Sequence, residues 1–352
     1  MNPGGRIHGG PDALGVPRFD FSTNSNACGP CPGALAAVQQ ADATRYPDSS
    51  YTTLRTRLAA FHGVDAQRVV LAGSASEFIF RITAWVAQRS GPKRGRKVCL
   101  PLHGFGDYTQ AAQAWGLVPT SDAGKAQLVW ACEPSSPLGG AHTAWPDGVL
   151  NASTIVDDQV PVVLDRAYAP LRLEGAPSLD PGQMARVWQL WSPNKSLGLT
   201  GVRAAYAIAP EGGEDAALAL DALAPSWPLG AHGEALLQAW AMPEVQGWVA
   251  ESLHTLRRWK AMQIDMLQSL GWTCLPSDTN FFCAHPAKGE DLGTELSRLR
   301  TAGIKLRDTT SFGLPGLVRL GVQAPVAQNA LKAALQAGSR ESSGSPTTKA
   351  KV

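Results

Sequence analysis

The chain has 352 residues, 44% of them hydrophobic, with 36 glycines and a formal charge of +2. That length and apolar content suit two domains around a large core. The small charge, spread without a lysine or arginine block, argues against nucleic acid or an anionic membrane as an obligatory partner and leaves a small-molecule substrate as the expectation.

The start, MNPGGRIHGGPDALG, has no apolar stretch of the kind that directs export, and no apolar run approaches the ~18 residues a membrane span requires. A soluble, cytoplasmic protein is expected. Cys28 and Cys31 follow in CGPC, the one close pair among six cysteines. A zinc site would want a second pair at similar spacing, and a redox motif would follow a strand and open a helix, so the segment reads as a Pro/Gly-rich turn in a reduced protein.

Short apolar runs then recur at strand length: RVVLAG (68–73), KVCLP (97–101), AQLVWAC (126–132), VPVVLD (160–165) and VWQLWS (187–192). Helix-like stretches, SEFIFRITAWVAQR and YTQAAQAWG, separate them. Continuous apolar strands with intervening helices predict a mostly parallel α/β sheet covered on both faces, with chemistry at the carboxyl ends of the strands. From about Pro225 the pattern changes to longer helices, including PEVQGWVAESLHTLRRWKAMQIDMLQSLG, and then to the strand-like NFFCAH and GLVRLGV. A second, smaller α+β domain is expected there, and a disordered tail over 338–352, where Ser, Gly and Pro replace periodicity.

Three strand ends carry chemistry. LAGSASEF leads from a strand through small residues into a helix, so its N–H groups could hold a phosphate. VVLDRAY ends a buried strand with Asp165 and sets Tyr168 three residues on. A carboxylate there must be paired or solvated; it reads as a helix N-cap or as the partner of a protonated ring nitrogen. Lys195 lies just past the next strand, where desolvation favours the free amine that a Schiff base needs. Ser192, three residues before it, and Arg203, eight after, can both serve an anion.

The order Gly73-Ser-Ala-Ser-Glu77, Asp165-x-x-Tyr168, Ser192-x-x-Lys195 and Arg203 resembles the class I/II aminotransferases of fold type I, over roughly residues 6 to 335. The resemblance implies pyridoxal 5′-phosphate (PLP) as cofactor and a large domain with a mostly parallel sheet of the seven-stranded type, plus a smaller α+β domain. Residues 1–44 would form an arm contributing to the small domain, 45–230 the large domain and 231–337 the small one. Lys195 would bind the cofactor aldehyde, Asp165 would hold the pyridinium nitrogen protonated and Tyr168 would hydrogen-bond the phenolic oxygen. Ala75, Ser76, Ser192 and Arg203 would hold the phosphate, and Phe105 would stack on the ring. Tyr46, in RYPD, would reach the phosphate of a neighbouring subunit, implying a homodimer with shared active sites. Arg319 would clamp the substrate carboxylate.

Two positions depart from the family pattern: Ser136, in EPSSPLGG, stands where an asparagine usually bonds the phenolic oxygen, and Asn194 precedes the lysine where a small hydroxyl residue is usual. Both concern the tuning of the cofactor rather than a step of the chemistry. The opening RIHGGPDALGVPRFDFSTNSN is similar to that of threonine-phosphate decarboxylases of cobalamin biosynthesis, and histidinol-phosphate aminotransferases share the RYP element and the core. By that resemblance the substrate is a phosphorylated amino acid, probed at its phosphate by His8 and Arg307 and near its carboxylate by Arg319 and Asn24. Decarboxylation of L-threonine O-3-phosphate is the expected reaction; a transaminase, or a non-catalytic scaffold of the same fold, is the alternative. A Rossmann dehydrogenase is set aside because GSASEF lacks the G-x-G-x-x-G spacing.

Overall fold

The computed structural model describes residues 8–89, 96–151, 160–287 and 291–343. Its strands in chain order are β1 (Phe19–Asp20), β2 (Val69–Ala72), β3 (Lys97–Cys99), β4 (Val118–Thr120), β5 (Leu128–Cys132), β6 (Val162–Asp165), β7 (Trp188–Trp191), β8 (Ala205–Ile208), β9 (Thr273–Cys274), β10 (Phe281–His285), β11 (Ile304–Lys305), β12 (Arg307–Asp308) and β13 (Val318–Gly321). Seven of them form one sheet in the order β2-β8-β7-β6-β5-β3-β4. Only β8 runs against the others.

The strands of this sheet that read as continuous apolar runs are buried on both faces, and side-chain alternation sorts their residues between two cores. Val70, Ala72, Trp130, Val163 and Leu190 pack with Phe78, Ile79 and Ile82 of the helix Ala75–Arg89. Val69, Leu71 and Tyr206 face the other way, onto Leu54, Leu58, Leu236 and Trp240 of the helices Thr52–His62 and Ala231–Trp240. The expected fold, a covered and mostly parallel sheet with a smaller α+β unit, is the observed one.

The smaller sheet is antiparallel, in the order β12-β13-β10-β9. It packs Phe281, Phe282, Val318 and Leu320 against Leu256 and Leu267 of the 27-residue helix Pro243–Ser269. The start of the chain joins this unit: β1 pairs in parallel with β11, and Gly321 N–H donates to Phe21 O at 2.7 Å. Two strands of the large sheet went unread in the sequence, β4 and β8, as did the two-residue strands β1, β9, β11 and β12; AYAI is too short and alanine-rich to carry a period of its own.

CGPC is a turn with Gly29 at φ +93°, after which Cys31 caps a helix, Pro32–Gln39, with proline in its first turn. The disordered tail expected from residue 338 needs correction at its start. The last helix, Pro325–Ser343, runs through that position, with Gly338 buried against the Arg298 guanidinium. A glycine without a Cβ lets the helix pass where a larger residue would collide. Residues 344–352 lie outside the described residues, as do residues 1–7 of the N-terminal arm. Among the described residues no helix is long and apolar enough to cross a membrane.

Candidate active site

The parallel strands β2, β5, β6 and β7 end at one edge of the large sheet, and β8, running backward, begins there. Ala75, Asp165, Ser192, Lys195 and Arg203 therefore converge although they are spread over more than a hundred residues. The lysine loop is held from both sides. Within it Leu199 N–H donates to Asn194 O at 2.8 Å, and from the start of the chain Asn26 N–H donates to Lys195 O at 2.9 Å and Cys31 N–H to Leu197 O at 2.8 Å. Gly198, at φ +68°, lies so close to Gly29 that a Cβ would come 2.5 Å from its carbonyl oxygen.

Lys195 opens into a cavity of about 420 Å³ shared with His8, Asn24, Ser136, Arg203, Arg307 and Arg319. Its Nζ lies 5.6 Å from the centre of the Tyr168 ring. Asp165 is buried at the end of β6. Its Oδ2 accepts from Tyr108 Oη at 2.7 Å and its Oδ1 from Ala167 N–H at 2.9 Å. Burial pushes its carboxyl above the usual range, opposed by those two donors and by Lys195. The N-cap role does not materialise: the short turn Ala169–Leu171 has Tyr168 at its cap and no side-chain cap bond.

Tyr168 Oη accepts from Asn24 Nδ2 at 3.3 Å. The other end of that amide, Asn24 Oδ1, is buried without a hydrogen-bond partner among the described residues, as are Ser192 Oγ and Asn194 Oδ1. Ala75 and Ser76 open the helix that follows β2, where backbone N–H groups have no carbonyl of their own turn to bond. Arg203 is exposed and pairs with no carboxylate within 4.0 Å among the described residues, and Ser76 and Arg203 line a second cleft of about 770 Å³ beside the first. Phe105 ends the loop after β3, its ring 6.0 Å from that of His8.

Ser136 behaves differently from the asparagine it replaces. Its hydroxyl accepts from Arg319 at 3.2 Å, which ties it to the residue expected to clamp the substrate carboxylate and leaves its own O–H to donate. Arg319 also donates to Ser22 O at 2.9 Å, and its Nε has no partner among the described residues. Arg307, directly opposite Arg319 across β12 and β13, donates to Ser311 Oγ at 2.7 Å. Both guanidinium groups lie near the Phe312 ring, at 4.8 and 5.5 Å from its centre. Burial, and then Arg319, pulls Arg307 down to about 10; burial also lowers Arg319. Two buried cations of like sign in one cavity call for anions.

Tyr46 is not brought to this cavity. It is 77% exposed and stacks on Trp227 at 4.4 Å. Tyr108, Ser311 and Phe312 are among the residues at the site that were missed in the sequence. Only Tyr108 left a trace, as the aromatic three residues past Phe105, on the same side of a helix that begins at Gly106.

The donor set suits PLP. A buried carboxylate matches a protonated ring nitrogen; an unpartnered buried hydroxyl, free helix N–H groups and an arginine match a phosphate; a lysine lies among them. With the sheet order, these features define a pyridoxal-phosphate-dependent enzyme of fold type I. The chain belongs to the aminotransferase class I and II family, whose profile matches residues 116–337, and its cofactor is pyridoxal 5′-phosphate.

Two curated relatives are the histidinol-phosphate aminotransferases of Jannaschia sp. (strain CCS1), 28% identical over 338 residues, and Ruegeria sp. (strain TM1040), 28% identical over 339. The alignments cover 90% of this chain in each case, and 90% and 89% of those proteins. Among solved structures, histidinol-phosphate aminotransferase from Sinorhizobium meliloti in complex with pyridoxal-5′-phosphate superposes with a TM-score of 0.74 at 22% identity, covering 91% of this chain and 90% of that one. L-threonine-O-3-phosphate decarboxylase from Porphyromonas gingivalis superposes with a TM-score of 0.72 at 21% identity, covering 91% and 99%. These structural likenesses carry the fold.

Proposed function

We propose that the protein transfers an amino group between a phosphorylated amino compound and a 2-oxo acid, as its histidinol-phosphate aminotransferase relatives are named for doing. The observation that carries this reading is the pair of buried guanidinium groups, Arg307 and Arg319, opening with Lys195 into one cavity. A phosphorylated donor brings a phosphate to Arg307 and His8. The carboxylate of the 2-oxo acid is held by Arg319, whose fork suits two parallel hydrogen bonds.

When bound, pyridoxal phosphate supplies the electron sink that weakens the bonds at the amino-bearing carbon. Asp165 would keep the proton on the ring nitrogen, Tyr168 would donate to the phenolic oxygen, and Phe105 would pack on the ring. Ser192, Arg203 and the Ala75 and Ser76 N–H groups hold the phosphate. The Lys195 amine would hold the cofactor aldehyde and, as a free base, would move a proton at the amino-bearing carbon of the substrate. Asn24, bonded to Tyr168, orients that phenol. The same reading makes the active unit a homodimer, with Tyr46, turned away from its own cleft, reaching the phosphate of the other subunit.

A second reading, decarboxylation of L-threonine O-3-phosphate, is favoured by one observation: His8 and Gly9 line the cavity beside both arginines. A single substrate with a phosphate at one end and a carboxylate at the other would satisfy the two cations together. Whether a proton or the carboxylate leaves the amino-bearing carbon would be set by how Arg319 and Ser136 turn the carboxylate. The test is direct. PLP-loaded protein is given L-histidinol phosphate with 2-oxoglutarate, or L-threonine O-3-phosphate alone, while glutamate and CO2 are measured. Glutamate from the first mixture supports transfer; CO2 from the second, without glutamate in the first, replaces it with decarboxylation.

A further inference from the structure

Tyr108 has no role in the function proposed above, yet it joins two residues that do. It lies on the helix Gly106–Ala114, buried at 2% exposure, with its ring stacked on Trp130 at 4.6 Å and 19°. Its ring meets Phe105 edge-on at 6.0 Å, and its hydroxyl donates to Asp165 Oδ2 at 2.7 Å. The stack on a strand residue fixes the ring, so the hydroxyl can point at the carboxylate without losing rotamer freedom at each encounter.

We infer that Tyr108 is a positioning residue of the cofactor site, donating a hydrogen bond that keeps Asp165 ionised to pair with the protonated ring nitrogen. The inference rests on the assignment of Asp165 made above. Its physical basis is that a buried carboxylate tends to take up a proton, and a donor to the charged form opposes this. Four groups face Asp165: the Tyr108 phenol from the helix, Cys132 from β5, Lys195 from the loop after β7, and the Ala167 N–H from its own turn. The Cys132 thiol is pushed up by burial and is neutral, and Lys195 becomes occupied once cofactor binds. The phenol is therefore the one side-chain donor that stays with Asp165 throughout. Burial also drives Tyr108 well above its ordinary value, so it remains a donor at every working pH.

The test uses Tyr108→Phe, which keeps the ring and its stack. In the full-length chain without cofactor, the Asp165 carboxyl is followed by carbon NMR of 13C-labelled aspartate and assigned by its loss in Asp165→Asn. Its titration midpoint is expected to rise by about one to two pH units in Tyr108→Phe, as removal of one hydrogen bond to a charged group implies. In protein loaded with 15N-labelled PLP, the ring nitrogen of the variant should lose its proton at lower pH than in wild type. Should Tyr108→Phe fail to fold, global 3-fluorotyrosine labelling, which sharpens the phenol as a donor at the chain's five tyrosines, should move the Asp165 midpoint down instead. An Asp165 midpoint indifferent to these changes, in a protein that binds PLP, overturns the inference alone. A wild-type protein that takes up no PLP overturns the reading of the site and the inference with it.

Discussion

Arg307 and Arg319 stand opposite each other on adjacent strands, and burial strips away the water that would screen their repulsion. Such a pair gains most when an anion enters, so its substitution should be felt in binding. Arg307→Gln is expected to raise the KM for a phosphorylated substrate at least ~10-fold, a loss of about 1.4 kcal/mol, and to leave an unphosphorylated analogue nearly unaffected. Lys195→Ala should retain the fold and lose the absorption of bound cofactor near ~420 nm along with activity. His62 carries a prediction of a different kind. Its Nε2 lies 2.7 Å from Tyr206 Oη, and burial, with help from Arg166, holds it down at about 4 from an ordinary value of 6.5. The unfolded chain thus binds a proton that the folded one refuses between those values, and stability should fall as pH drops from 6.5 towards 4. Thermal unfolding of wild type and His62→Gln across that range would test this, the variant showing the shallower slope.

Among the elements, the strands that end in chemistry were legible because a parallel sheet buried on both faces forces continuous apolar runs, and VVLD and WQLW have nothing else to be. β8 was not legible: its reversal is decided by where its neighbours lie, information absent from AYAI itself. The same limit hid Ser311 and Phe312, which reach the cavity only because β12 and β13 fold back on each other. Asp165, Ser192, Lys195 and Arg203 could be singled out by their order along the chain, whereas the bond that Ser136 makes could not be read there, since its partner Arg319 is 183 residues away. The loop from Pro193 to Gly198 is where element geometry bears on cofactor retention. Gly198→Ala would place a Cβ against Gly29 O in a left-handed conformation, and a cost of about 2 kcal/mol is expected. It should appear as a lower melting temperature and faster loss of PLP on dilution.

At the scale of the whole molecule, the two sheets are joined by a partly buried ionic bridge. Arg172 pairs with Glu133, just past β5, at 2.9 Å and with Asp278, between β9 and β10, at 3.3 Å. Removing the arginine takes the counter-charge from the Glu133 carboxylate, only 4% exposed, and leaves it the Ser178 and His142 N–H donors, so Arg172→Ala should cost about 2 kcal/mol and loosen the smaller sheet first, as hydrogen exchange would register. The proposed dimer predicts complementation: Lys195→Ala and Tyr46→Ala proteins, each impaired, should regain activity when mixed, because one of the two mixed sites holds both residues. The start of the chain has a further consequence. β1 finds its partner β11 almost at the other end of the sequence, and the segment behind it braces the lysine loop. On the ribosome β1 is made long before β11, so a polypeptide released before β11 is made would hold Lys195 in a loop whose brace is itself unanchored. The cavity would also lack both arginines, and truncated products should be inert from the outset.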